Sequence, residues 1–209
     1  KIFQITKITG RNMNPRIRRL YADYEQIQKD FGGHPNIRVI PLSGNPPEKY
    51  QIIYSLPGLM LDTATNRPVI INEDREQLYL HQGFPRERPQ CVMETSNFHP
   101  NIGAYICIDD YWAAGMTLSD IIIQIGEMIQ YRNFNPRSPL NAIAAAWSVQ
   151  NESRLPIGHV DLYQPEIDLD IVLEDMNAIP TPPTPVPEPT PAPTPPAPAE
   201  DELDIELDD

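Results

Sequence analysis

Past Arg154 the chain has no lysine or arginine. All 16 basic residues precede that point, and as far as Asp161 they are matched by 16 of the 29 acids. The other 13 acids begin at Glu166 and account for the whole net charge of −13. The acidity therefore belongs to a tail, and the stretch before it is neutral. A neutral domain with an acidic tail offers phosphate no electrostatic footprint, which excludes nucleic acid as the main ligand. Cysteine is nearly absent too, with Cys91 and Cys107 the only two. Two cysteines build no disulfide framework, so a reducing, cytoplasmic setting is expected. No CxxC occurs and the four histidines are scattered, so no metal site of ordinary spacing is expected. Neither GxGxxG nor GxxxxGK[ST] appears, and no cofactor is implied. No apolar run approaches the roughly 20 residues of a membrane span, and no signal-peptide pattern opens the chain.

Proline is what the far end has in excess. "PTPPTPVPEPTPAPTPPAP", from residue 180, holds 11 prolines in 19 residues. Such a run lacks backbone donors, favours extended polyproline II and cannot bury a core. The expected organisation is an N-terminal extension (1–13), a folded domain (14–158), an acidic transition (159–179) and a proline spacer with acidic tail (180–209).

Within the domain, Asn14 and Pro15 suit a helix start. Ile17, Leu20, Tyr21, Tyr24, Ile27 and Phe31 follow at helical spacing, and Gly32-Gly33 stops the helix. Strand-like segments come next: "NIRVIPL", "YQIIYSL", "PVIIN", "QLYLH" and "QCVMET". "TLSD" then forms a capping box opening a helix with Leu118, Ile121, Ile122, Ile125, Met128 and Ile129 apolar. Ser138-Pro139 is expected to cap a last short helix through Leu140, Ile143, Ala144 and Trp147. The order predicts an α+β domain, a four-stranded antiparallel meander with helices packed on it.

Between sheet and central helix lies "FHPNIGAYICIDDYW". Cys107 alone, between two isoleucines, reads as a small buried residue. His99 alone would suit the base of a Cys–His hydrolase. The surrounding motifs point elsewhere. "FPRERPQCVMETSNFHPN" resembles the tyrosine-proline strand and His-Pro-Asn segment of ubiquitin-conjugating enzymes. "ICIDDYW" with "AAGMTL" resembles that family's active-site cysteine loop and the start of its central helix. "NPRSPLNAIA" resembles the segment after that helix. The likeness spans residues 14–150 in element order. A lone HPN carries nothing, since "HPNI" also occurs at 34–37. Two departures stand out: the loop from His99 to Cys107 is two residues short, and "GLMLDTATNRPVIINED" is longer than the family's hairpin. Both mark a divergent, bacterial-type member, for which a defence operon is the suggested setting.

The resemblance implies the ubiquitin-conjugating fold and an acyl transferase acting by transthiolation. Cys107 would take a ubiquitin-like protein from an activating enzyme as a thioester and pass it to an amine. Asn101 corresponds to the family's oxyanion or loop-holding asparagine, and His99 and Pro100 to the part that fixes the turn. Asp109 matches the acid two residues past the cysteine. Ser138 stands where an acid usually orients the incoming amine. Implied partners are the ubiquitin-like protein and the activating enzyme, with a ligase or deconjugating protease of the same pathway. Cys91 is expected to be a buried strand residue. The alternatives are a catalytically silent module that binds ubiquitin-like proteins, and a scaffold whose useful part is the tail. "LDIVLED" (169–175) and "LDIELDD" (203–209) repeat one pattern. Leu169, Ile171 and Leu173, and Leu203, Ile205 and Leu207, each line one face of a strand suited to adding to a sheet edge.

Overall fold

The computed structural model describes residues 14–108 and 112–163. Asp109 and both tail repeats, with their Leu and Ile faces, lie outside the described residues.

Helix α1 (Pro15–Phe31) begins as the sequence predicts: the Asn14 side chain accepts from Arg16 N at 2.9 Å, and Pro15 takes the first turn. Its buried face is Leu20, Tyr24, Ile27 and Phe31. Strands β1 (Ile37–Gly44), β2 (Pro47–Tyr54), β5 (Asp74–Tyr79) and β6 (Gln90–Met93) form a four-stranded sheet in that order, antiparallel throughout. Pro41 is tolerated because β1 lies at the sheet edge. Between β2 and β5 the chain leaves the sheet for a separate hairpin, β3 (Gly58–Asp62) and β4 (Arg67–Ile71). Of that hairpin only the "PVIIN" strand was predicted. "GLMLD" was read only as part of an extended hairpin and was not named as a strand.

Helix α2 (Leu118–Ile129) carries the predicted capping box: the Thr117 hydroxyl accepts from Asp120 N at 3.1 Å, and the Asp120 carboxylate accepts from Thr117 N at 3.0 Å. All six of its predicted apolar residues are buried against the sheet, each contributing roughly 1.5–3 kcal/mol relative to exposure. Helix α3 (Ala142–Gln150) corrects the sequence reading of its start. The cap is Asn141, whose Oδ1 accepts from Ala144 N at 3.0 Å, and not Ser138. Leu140 and Ile143, expected inside, are exposed. With nearly every position apolar, α3 has no sequence signal to say which side faces in.

The packed chain continues beyond residue 158. Leu162 is only 1 % exposed and lies against Gly126 of α2, where a Cβ would come within 2.5 Å of Leu162 Cδ1. A second, smaller core joins Leu59 of the hairpin to Phe98, Tyr131 and Ala144, with Leu61, Phe134 and Trp147 packed around them. The extra length of the hairpin thus supports the segment leading to the His-Pro-Asn turn, where Phe98 N donates to Leu59 O at 2.7 Å.

On β5 the alternation of the strand sends Asp74, Glu76 and Leu78 inward. Glu76 is fully buried; its Oε2 lies 2.7 Å from Tyr54 Oη, while Oε1 has no hydrogen-bond partner. Burial pushes its pKa up to about 7, and the bond from Tyr54 only partly opposes this. A carboxyl whose pKa rises on folding stabilises the fold below its unfolded pKa. That contribution is lost as pH climbs through the folded value, a change of about 3 kcal/mol. Stability measured by denaturant should therefore fall between about pH 5 and pH 8. Glu76→Gln, which keeps an acceptor for Tyr54, should flatten much of that slope. The same slope in both proteins would show that Glu76 does not titrate in this window.

Candidate active site

Three tethers shape the loop before α2. At its start, His99 Nδ1 accepts from Asn101 N at 3.1 Å, which fixes the turn through Pro100. The ring is wholly buried, packed edge-on against Tyr131 with centroids 4.8 Å apart and against Phe134 at 6.1 Å. Burial pushes the His99 pKa down to about 3, so the imidazole is neutral. A neutral, enclosed ring whose Nδ1 is engaged by the backbone is a structural histidine, not a general base.

The second tether crosses the loop. Ile102 and Ile106 form an antiparallel bridge, and Gly103 N donates to Tyr105 O at 3.0 Å. Cys107 N donates to Asn101 O at 2.9 Å, and Ile106 N to Cys91 O at 2.8 Å. This miniature hairpin accounts for the short loop: the chain turns back at once and lays Cys107 beside Asn101. Ile106 and Ile108 are buried to either side, while Cys107 is partly exposed. Cys91, by contrast, is 1 % exposed in β6. Burial, then the nearby Glu76, pushes the Cys91 thiol well above its usual range. Of the two thiols, Cys107 is the accessible one.

The third tether runs to the segment after α2. Asn101 Oδ1 accepts from Asn135 N at 2.7 Å, and Asn101 Nδ2 donates to Asn135 O at 3.0 Å and Ser138 O at 3.3 Å. Pro100 O accepts from Leu140 N and Asn141 N, at 2.8 and 2.9 Å. Ser138 is exposed, and it meets Asn101 through its carbonyl. His99, Pro100, Asn101, Cys107 and Ser138 are thereby brought into one neighbourhood.

The sequence reading missed the far wall of this loop. Arg19 of α1 is paired with Asp23 at 2.8 Å and donates to Ala114 O at 3.1 Å and to Met116 O. Its guanidinium also lies 5.4 Å from the centroid of the Phe84 ring, which packs against Trp112. The i,i+4 spacing of Arg19 and Asp23 was readable as a pair, but nothing local tells which loop that pair holds. A groove of about 640 Å³ is lined by His81, Arg86, Glu87, Arg88, Tyr105 and Trp112 among others; Cys91 belongs to its lining and Cys107 does not. Arg88 sits over the Tyr105 ring, 5.3 Å from its centroid. Among the described residues no cluster of His, Cys, Asp and Glu could hold a metal ion, and no helix is long and apolar enough to cross a membrane.

Comparison with known proteins agrees with this geometry. The profile of the ubiquitin-conjugating enzyme family matches residues 75–156. Ubiquitin-conjugating enzyme E2 27 of Arabidopsis thaliana is 26 % identical over 142 residues, covering 65 % of this chain and 67 % of that protein. A solved structure described as a novel ubiquitin-conjugating enzyme superposes with a TM-score of 0.50 at 20 % identity. The match covers 66 % of this chain and 88 % of that one, a likeness of fold alone. The chain thus has the fold of ubiquitin-conjugating enzymes and is similar in sequence to that family over residues 75–156.

Proposed function

We propose that this chain carries a ubiquitin-like protein as a thioester on Cys107 and transfers it to an amine acceptor. The observation behind this reading is the contrast between the two thiols. Cys107 is partly exposed on a loop braced from three directions, and Cys91 is sealed in the core. A thiolate at Cys107 attacks the thioester carbonyl on the activating enzyme and expels that enzyme's thiolate. Thioester replaces thioester, so the exchange changes the energy little. The acceptor amine then attacks the new carbonyl, the Cys107 thiolate leaves, and an amide forms. Sulfur serves both steps, as a strong nucleophile and then a good leaving group.

Asn101 has two roles in this scheme. Its carbonyl oxygen and its side chain bind Cys107 N, Asn135 and Ser138, which fixes the loop. Its longest bond, 3.3 Å to Ser138 O, is the one an oxyanion would replace. Ser138 can hydrogen-bond the incoming amine but cannot supply a negative charge to it. The partners are a ubiquitin-like protein and its activating enzyme, with a ligase or deconjugating protease of the pathway, in a reducing cytoplasm. A silent binding module is the second reading, and the accessible cysteine counts against it. The two tail repeats are proposed to add as strands to an edge of one of those partners, the proline spacer holding them apart.

Incubation with activating enzyme, ubiquitin-like protein and ATP should give a thiol-reversible adduct on non-reducing gels. Cys107→Ser should give a slower, thiol-resistant ester and Cys107→Ala none. An adduct persisting in Cys107→Ala, or lost in folded Cys91→Ala, would place the nucleophile elsewhere.

In single-turnover discharge of purified thioester, Asn101→Ala should slow transfer by about 10²–10³-fold, with a smaller effect on loading. Equal slowing of both steps with a drop in melting temperature would make Asn101 a positioning residue only. Ser138→Asp should speed discharge to free lysine. Unchanged discharge would mean that no acid is wanted there.

Serine at Leu169, Ile171 and Leu173, or at Leu203, Ile205 and Leu207, keeps every acid and removes the apolar face. Either triple replacement should weaken binding to the ubiquitin-like protein or activating enzyme by more than half, because two weak sites on one spacer act by avidity. Unchanged affinity for both partners would leave the tail as a solvated acidic extension.

A further inference from the structure

Helix α3 has almost no polar side. Ala144, Ala145 and Ser148 face inward, and the outward arc carries Ala142, Ile143, Ala146 and Val149, with Gln150 its single polar member. Ile143 is 73 % and Val149 64 % exposed. A helix apolar all round is ordinarily a buried helix, and among the described residues nothing covers this one.

We propose that α3 pairs with the α3 of a second copy of this chain, antiparallel, about a twofold axis passing by Ala146. Two observations select a copy over an unrelated partner. The first is that the surface is its own complement. Ile143 and Val149 stand three residues to either side of Ala146, and Ala142 and Gln150 stand four. An antiparallel dyad at Ala146 sets each Ile143 against the partner's Val149. The two small Ala146 side chains at the crossing let the backbones approach. The second is the charge at the helix ends. Arg137 is exposed before the N-terminus, and Glu152 is exposed just past the C-terminus. Antiparallel pairing carries each Glu152 to the other copy's helix N-terminus, where Arg137 and the helix dipole both favour a carboxylate. Arg154 stays out of this contact, held 5.6 Å from the Trp147 ring centroid and bonded to Asn151 Oδ1.

The interface is small. Nine helical residues span about 13 Å, which buries far less than the roughly 800 Å² per partner of a stable complex. The dimer is therefore weak and concentration-dependent. Its position gives it a consequence. The N-terminal end of α3 hangs from Pro100 O through Leu140 and Asn141, so pairing braces the His99–Asn101 turn of both copies.

Sedimentation velocity on the full chain should show a 23.7 kDa monomer at low concentration and a rising dimer fraction towards several hundred μM. Ile143→Asp, a change at an exposed position, should abolish the dimer while leaving the circular dichroism and melting temperature intact. Ala146→Cys, made with Cys107→Ser, should oxidise to a disulfide-linked dimer, because a residue at the dyad meets its own copy. Arg18→Cys, exposed on α1, should not. A monomer at every concentration would overturn the proposal, as would a dimer that survives Ile143→Asp. Association without the Ala146→Cys crosslink would overturn the twofold geometry.

Discussion

The loop that carries Cys107 is tied to the segment after α2 by one side-chain amide. Asn101 bonds Asn135 through both its oxygen and its nitrogen, reaches Ser138 O with the same nitrogen, and offers its own carbonyl to Cys107 N. The turn before it, the cysteine after it and the segment entering α3 therefore meet at a single residue. Each neutral bond of this kind contributes about 1 kcal/mol net, but a buried amide left unpaired costs the full desolvation. The backbone bonds of Cys107 N to Asn101 O and of Leu140 N and Asn141 N to Pro100 O run beside this tie and hold the same three segments.

Around that tie the structure keeps its polar groups inside rather than avoiding them. Glu76 and Asp74 face the core from β5, and His99 is enclosed by aromatic rings beneath the turn. Burial raises both carboxyl pKa values and lowers that of the histidine, so each charged form is disfavoured inside; hydrogen bonds from Thr95 and Asn97 to Asp74 and from Tyr54 to Glu76 partly offset this. The charged groups Arg86, Glu87 and Arg88 instead line a groove at the surface.

Much of the architecture was legible because its signals are local. Asn14-Pro15 and the Thr117–Asp120 box each act within a few residues. The α3 start failed for the reverse reason: Ser138 and Asn141 are both good caps, and tertiary bonds from Leu140 N and Asn141 N to Pro100 O decide between them. The His-Pro-Asn motif shows the limit of local reading most clearly. His34 Nδ1 accepts from Asn36 N at 3.1 Å, as His99 Nδ1 does from Asn101 N. The tripeptide specifies a turn in both places. At residues 99–101 it sits near a cysteine because the chain returns at Ile102–Ile106 and because Asn135, 34 residues on, arrives to receive the amide. Neither event is written in the three letters. Inward acids on β5 and the reach of Arg19 to Met116 O were likewise invisible, since an acid or an arginine in isolation reads as solvated charge.

The central claim is that Cys107 is the site at which a ubiquitin-like protein is held. Intact-mass analysis of an acid-quenched charging reaction, followed by peptide mapping without reductant, tests it on the unmodified sequence. The account predicts a gain equal to the ubiquitin-like protein less one water, located on the peptide containing Cys107 and removed by hydroxylamine. A stable adduct on a lysine, an adduct on the Cys91 peptide, or no adduct with an activating enzyme already shown to be charged would contradict it.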